Sequence, residues 1–158
     1  MNEVKIGATI VGDGHPCFIV AEIGINHNGD VDLARRLVEL AADAGADAVK
    51  FQTFRADRTV SKFAPKAAYQ LQTTDVSESQ YEMLKRLELS DKAHYVLMEQ
   101  CRERGIRFLS TPFDEQSADF LVALGIQALK IPSGEITNRP FLEHVAKFGK
   151  PVILSSGM

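Results

Sequence analysis

Four times along this chain, a helix-forming stretch ends in glycine and a short apolar strand follows. The glycines are Gly45, Gly105, Gly125 and Gly149, and the strand segments behind them centre on Val49, Phe108, Leu129 and Ile153. Glycine after a helix supplies the left-handed conformation that closes the last turn. A fifth apolar strand, Cys17-Phe18-Ile19-Val20-Ala21, comes before the first of these helices. The order is therefore strand, helix, strand, helix, strand, helix, strand, helix, strand. Strands with few polar positions are covered on both faces, and alternation with helices implies a parallel sheet. A doubly wound open sheet and a (β/α)8 barrel both satisfy this pattern, and strand composition does not separate them.

Each helix carries its own start signal. Asp30 caps the first, with an apolar face expected at Leu33, Leu37, Leu40, Ala41 and Ala44. Ser90 or Asp91 caps the next, with Tyr95, Met98 and Cys101 facing inward. Asp114 starts a third, packed through Phe120, Leu121 and Leu124. Asn138 starts a fourth, because Pro140 is tolerated in a first helical turn. Two stretches fall outside the repeat. Residues 1–16 alternate and then turn at Gly12-Asp13-Gly14, which predicts a small antiparallel hairpin ahead of a main unit at 17–158. Residues 54–76 form a long irregular segment holding Arg55, Arg58, Lys62 and Lys66 among Phe54, Phe63 and Tyr69; its functional reading is a flap over an anionic substrate. Residues 77–89 read as an extra helix with Tyr81, Leu84 and Leu87 on one face.

Composition removes several classes. Against 21 acidic residues stand 18 basic ones, a net charge of −3, so the basic excess of a nucleic-acid binder is missing. No apolar run approaches the roughly 18 residues of a membrane span. The opening Met1-Asn2-Glu3-Val4-Lys5 lacks the form of a signal peptide. Cys17 and Cys101 match no metal or redox spacing and read as reduced thiols in a cytoplasmic protein. No dinucleotide or P-loop glycine pattern is present.

What the strands end in is more informative. The first ends at Glu22 and runs on to Asn26 and His27; the second carries Lys50, Gln52 and Thr53; the third ends Ser110-Thr111; the fourth carries Lys130, then Ser133 and Glu135; the fifth ends Ser155-Ser156. In a barrel these groups converge on one mouth, where such folds place active sites. Lysines with hydroxyl donors suit an anionic substrate, and Glu22 and Glu135 are candidate acid–base groups. Each also has a plain structural reading: a solvated lysine, a turn-forming serine, a hydrogen-bonded core histidine. Five strand ends in succession carrying such groups favour the functional one. Lys50 and Lys130 also stand where a Schiff-base aldolase would place its nucleophile.

The motifs in order resemble the sialic acid (nonulosonic acid) synthase family. They are Phe18-Ile19-Val20-Ala21-Glu22-Ile23-Gly24-Ile25-Asn26-His27-Asn28-Gly29-Asp30, Gly45-Ala46-Asp47-Ala48-Val49-Lys50-Phe51-Gln52, Ser110-Thr111-Pro112-Phe113, Lys130-Ile131-Pro132-Ser133-Gly134-Glu135 and Ile153-Leu154-Ser155-Ser156-Gly157-Met158. The resemblance implies the (β/α)8 barrel. It implies condensation of phosphoenolpyruvate with an N-acetylated amino sugar, or its 6-phosphate, with release of phosphate. It implies that Lys50, Thr111, Lys130, Ser133 and Ser155 hold phosphoenolpyruvate, that Glu22 and Glu135 stand beside the reacting carbons, and that Asn26, His27 and Gln52 face the sugar. It also implies a divalent metal, manganese or magnesium, and a homodimeric intact enzyme.

The chain departs from the family pattern by ending after the fifth strand. The family's metal-binding histidines and its C-terminal antifreeze-like domain lie beyond that point, so no metal ligands are assigned here. Of the four histidines, His15 is expected in the hairpin turn and His94 and His144 in helices, with none joining His27 at the strand ends. The expectation is an N-terminal barrel portion of about five strands, catalytically inactive alone. A Schiff-base lyase or aldolase and a non-catalytic, self-associating half-barrel are the alternatives.

Overall fold

The computed structural model describes residues 3–66 and 78–157. In chain order the elements are β1 (Glu3–Ile6), β2 (Thr9–Gly12), β3 (Val20–Gly24), α1 (Val31–Asp43), β4 (Ala48–Thr53), α2 (Ala56–Thr59), α3 (Gln80–Leu87), α4 (Asp91–Glu103), β5 (Arg107–Pro112), α5 (Glu115–Leu124), β6 (Leu129–Ile131), a 3-10 turn (Ser133–Glu135), α6 (Arg139–Ala146) and β7 (Val152–Leu154). β1 and β2 form the antiparallel hairpin. The other strands run parallel in chain order, β3-β4-β5 and then β6-β7, with β6 lying beside β5. They do not close on themselves: the described residues form an incomplete barrel rather than a whole one.

The helix caps follow the sequence signals. The Asp30 carboxylate accepts from Asp32 N and Leu33 N, Ser90 from Ala93 N, Asp114 from Ser117 N and Asn138 from Phe141 N. Each satisfies amides that have no partner inside the helix. At the other end of α5, Gly125 takes a φ of +96°, which closes the helix and releases the chain toward β6.

Strand alternation sorts the side chains into two layers. On the outer side, Val49, Phe51, Phe108, Leu129 and Ile131 pack against α1, α4, α5 and α6 in one core that includes Val38, Leu97, Leu121 and Phe141. On the inner side, Ala48, Leu109 and Ala128 form a second cluster with Ile6 of the hairpin. The hairpin is thus packed onto the base of the sheet. Lys50 and Gln52 share the inner parity of Ala48, and Thr111 that of Leu109.

Several sequence expectations need correction. The ladder of the first parallel strand starts at Val20 rather than Cys17, so Glu22 lies within β3 and not one residue past it. The cause is Asp47, whose carboxylate accepts from Ile19 N at 2.7 Å while Asp47 N and Ala48 N donate to Ile19 O. The buried face of α1 is Ala34, Val38 and Ala41, with Leu40 57% exposed. Small side chains let this helix approach the sheet, and leucines flank the contact. In α4 the buried row is Ala93, His94, Leu97, Gln100 and Cys101, whereas Tyr95 is 57% exposed. α3 buries Met83 and Leu87 against Phe54, with Leu84 partly covered. The start of the 54–76 segment is tied down: Arg55 donates to Leu89 O at 3.0 Å, and Asp57 accepts from Tyr81 at 2.6 Å and Lys85 at 3.1 Å. Tyr69 and the second part of the expected flap, 67–76, lie outside the described residues. Among the described residues no helix is long and apolar enough to cross a membrane.

Candidate active site at the strand ends

Glu22 is aligned with Lys50 across the β3–β4 ladder, and Gln52 with Thr111 across β4–β5. The Lys50 ammonium forms an ion pair with the Glu22 carboxylate and donates to Thr111 Oγ1 at 3.3 Å. Lys50 is 12% exposed and Glu22 52%, so the cation is sunk into the inner face while the carboxylate reaches toward open space. A β-bulge between Glu22 and Gly24 shapes this end of β3. Gly24 has a φ of +55°, and a Cβ there would stand 3.0 Å from Glu22 Oε1 and 3.5 Å from Gln52 Nε2. The positive φ favours glycine, and a side chain there would also crowd the Glu22 carboxylate.

Lys130 joins this group from β6. Burial holds its pKa below the usual lysine range, the neighbouring Lys50 charge lowers it further, and Glu22 pulls it back up. Two cations and one carboxylate therefore act on one another across β3, β4 and β6. The Lys130 ammonium donates to Ile131 O at 2.9 Å, and Ser155 N donates to the same carbonyl at 3.1 Å. Lys130 so connects the Glu22–Lys50–Thr111 cluster to the end of β7.

Other expected site residues are placed differently. Ser133 opens the 3-10 turn and accepts from Ile136 N through its carbonyl at 3.2 Å. Glu135 is half-buried and accepts from Asn138 Nδ2 at 2.6 Å, which binds it to the start of α6. Asn26 is exposed in the turn after β3. His27 is fully buried. Its Nδ1 accepts from Gly29 N at 3.0 Å, and its Nε2 has no hydrogen-bond partner of normal geometry. Burial holds its pKa below the usual imidazole range, the neighbouring His94 lowers it further, and the Gly24 backbone opposes both. Here His27 braces the turn rather than facing solvent.

His94 lies in a helix as expected, but the structure corrects the reading that it stays away from the strand ends. It sits on α4 at 1% exposure and reaches the end of β4, where Nε2 lies 2.8 Å from Thr53 Oγ1. Thr53 Oγ1 lies in turn 2.6 Å from Ser110 Oγ. Parity could have located Thr53 and Ser110, because each is a hydroxyl two places beyond an outward phenylalanine, Phe51 or Phe108. Nothing in sequence spacing couples them to His94.

Among the described residues no three His, Cys, Asp or Glu side chains converge as a metal site. Cys101 is buried, which pushes its thiol up to about 12 and leaves it unreactive.

Comparison with known proteins fits this geometry. Residues 37–158 match the model of the NeuB family. The chain is 57% identical over 147 residues to the N,N'-diacetyllegionaminic acid synthase of Legionella pneumophila, covering 93% of this chain and 41% of that one. It is 40% identical over 150 residues to the N-acetylneuraminate-9-phosphate synthase of Homo sapiens, covering 94% and 41%. The sialic acid synthetase of Leptospira borgpetersenii, solved in complex with citrate, superposes with a TM-score of 0.83 at 34% identity, over 99% of this chain and 50% of that one. The chain thus spans under half the length of these curated relatives, which are synthases of sialic and related nonulosonic acids. By the extent of the match and the order of its motifs, this chain belongs to the NeuB family.

Proposed function

We propose that the protein containing this chain condenses phosphoenolpyruvate with an N-acetylated amino sugar, or its 6-phosphate, to give a nonulosonic acid and inorganic phosphate. The observation carrying this reading is the meeting of Lys50, Lys130, Thr111 and Glu22 on the inner faces of β3 to β6. Two ammonium groups and a hydroxyl form a cradle for a small polyanion. Glu22 lies beside it, a carboxylate paired with that cradle and half-open to solvent.

In this reaction a bond forms between C3 of phosphoenolpyruvate and the aldehyde carbon of the sugar. Water adds at C2, and phosphate leaves with C–O cleavage. Lys50 and Lys130 hold the phosphate and carboxylate and stabilise negative charge as phosphate departs. Glu22 stands beside the C2 centre, where a carboxylate can stabilise positive character or take the proton of the attacking water. Ser133, Ser155 and Glu135 supply further donors and an acidic group from the β6 and β7 ends, and Asn26 and Gln52 are assigned to the sugar side, with the buried His27 bracing the turn that carries Asn26. A divalent metal, manganese or magnesium, belongs to the proposal for the intact enzyme, where it would polarise the aldehyde oxygen. The described residues do not fit it: His27 Nδ1 is occupied by Gly29 N, and His94 is engaged at both ring nitrogens. Its ligands are therefore assigned outside this chain, as is the remainder of a homodimeric, cytoplasmic enzyme.

Calorimetric titration of phosphoenolpyruvate into the full chain tests the cradle. Lys130→Ala is expected to weaken binding by the worth of a hydrogen bond to a charged group, about 1.5–3 kcal/mol. Affinity equal to wild type would refute the assignment. Glu22→Gln in the intact enzyme is expected to bind as wild type and lose roughly 10²–10⁴-fold in turnover. An unchanged turnover number would remove Glu22 from the chemistry.

A further inference from the structure

The inner-face cluster has a buried counterpart on the opposite side of the same two strands. Thr53 follows Gln52 on β4, and Ser110 precedes Thr111 on β5, so each inward group has an outward hydroxyl as its neighbour. These hydroxyls are 6% and 0% exposed and lie 2.6 Å apart. His94 closes the chain from α4, its Nε2 at 2.8 Å from Thr53 Oγ1 and its Nδ1 at 2.9 Å from Ser90 O.

Donor accounting gives this chain a direction. Ser90 O can only accept, so His94 Nδ1 carries the proton. Neutral Nε2 then accepts from the Thr53 hydroxyl, and Thr53 accepts from Ser110. The ring is fixed further by edge contacts with Phe108 and Phe120, at centroid distances of 6.3 and 5.2 Å. The path runs from the N-cap of α4 to the ends of two strands without a free rotor. Ser90 itself is locked, because its hydroxyl accepts from Ala93 N at 3.1 Å.

We propose that His94, through Thr53 and Ser110, is a positioning residue that fixes the ends of β4 and β5, and so sets the spacing of Lys50 and Gln52 against Thr111. The inference rests on reading Lys50 and Thr111 as the groups that hold phosphoenolpyruvate. A strand end has one remaining degree of freedom that matters here, sliding or twisting against its neighbour. The outward hydroxyl pair ties both strands to a single imidazole and removes it. Networks of this kind gain from low dielectric surroundings and lose heavily when one member is left unpaired. The 3.3 Å contact between Lys50 and Thr111 is long enough that a small shift of either strand would open it.

The test uses the full chain and three variants. Thr53→Val keeps the volume and removes the hydroxyl; Thr53→Ser keeps the hydroxyl; Ser110→Ala removes the last donor and serves if Thr53→Val fails to fold. The main readouts are the dissociation constant for phosphoenolpyruvate by calorimetry and amide hydrogen exchange at Gln52 and Thr111. The ¹⁵N shift of His94 Nε2 reports whether it still accepts a hydrogen bond. Thr53→Val is expected to bind phosphoenolpyruvate roughly tenfold more weakly, as for loss of one net hydrogen bond. It should also exchange faster at both amides, with Thr53→Ser restoring both. Wild-type affinity and exchange in Thr53→Val and Ser110→Ala would overturn the inference. If wild type binds no phosphoenolpyruvate while the exchange pattern behaves as expected, the strand-end lock stands and the substrate reading falls.

Discussion

β4 and β7 descend from the same sequence unit, a helix, a glycine and an apolar strand, yet they end in opposite conditions. β4 is laddered on both sides, to β3 and β5, and its outward Val49 and Phe51 are fully buried under the helices. Among the described residues β7 is laddered only to β6, and its outward Val152 and Leu154 are 43% and 50% exposed. Ile19 and Leu40, at the other margin, are 53% and 57% exposed. Local sequence therefore specifies that a strand forms and which residues point outward, but not whether anything covers them. The candidate site straddles the two conditions: Lys50 and Thr111 belong to the finished part, and Lys130 and Ser155 to the part that opens.

The largest test of this contrast is Phe51→Ala against Leu154→Ala. Phe51 stacks on Phe108 at a centroid distance of 5.3 Å within the outer core, so its truncation should cost about 3–5 kcal/mol in a denaturant titration. A loss as small as that of Leu154→Ala would show the two strands to be equivalent.

Acid sharpens the comparison, because the two histidines with lowered pKa values both lie in the finished part. Burial is the leading cause for His27 and for His94. Both stay neutral when folded and accept protons near an ordinary pKa of about 6.5 when unfolded. The unfolded state thus binds more protons as pH falls below that value, and stability falls with it. The slope approaches about 1.4 kcal/mol per pH unit for each histidine until the folded pKa is reached. Denaturation midpoints from pH 7 to 5 measure it, and His94→Gln should remove about half of the slope. A pH-independent midpoint would mean that both rings take up protons in the folded protein as readily as in the unfolded one, and would refute the burial argument.

The smallest effect is expected at the open margin. Val152→Thr and Leu154→Gln should change stability by about 0.5 kcal/mol or less, since each side chain is near half-exposed. The same pair should lower self-association of the isolated 158-residue chain in light scattering, because they blunt an apolar strand edge. A large loss of stability would show that β7 is covered after all.

Punctuation and parity account for what was legible in advance. Asp30, Ser90, Asp114 and Asn138 cap their helices because a short polar side chain before an apolar run has few other uses. The strand-end groups could be named because their order along the chain survives folding into parallel strands. Helix faces were less legible. Leu40 and Tyr95 look more apolar than Ala34 and His94, yet the smaller alanine and the hydrogen-bonded histidine take the buried positions. Hydrophobicity ranks residues one at a time, whereas packing ranks them by fit. The bulge at Gly24 was likewise hidden, since nothing local distinguishes it from an ordinary strand glycine. His94 reaches Thr53 across 41 residues, a distance over which periodicity carries no information.

The hairpin at the start of the chain has a kinetic consequence. β1 and β2 can pair within microseconds, since their contacts are local. Ile6 nevertheless finds its place only beside Ala48, Leu109 and Ala128, and Gly7 only against the Gln127 side chain. The piece whose own contacts are most local thus depends for its docking on residues as distant in sequence as Ala128, and such long-range contacts carry a loop-closure cost that the hairpin's own pairing does not. Truncating Ile6 is therefore expected to speed unfolding more than it slows folding, and stopped-flow rates of Ile6→Ala against the unchanged chain measure the split.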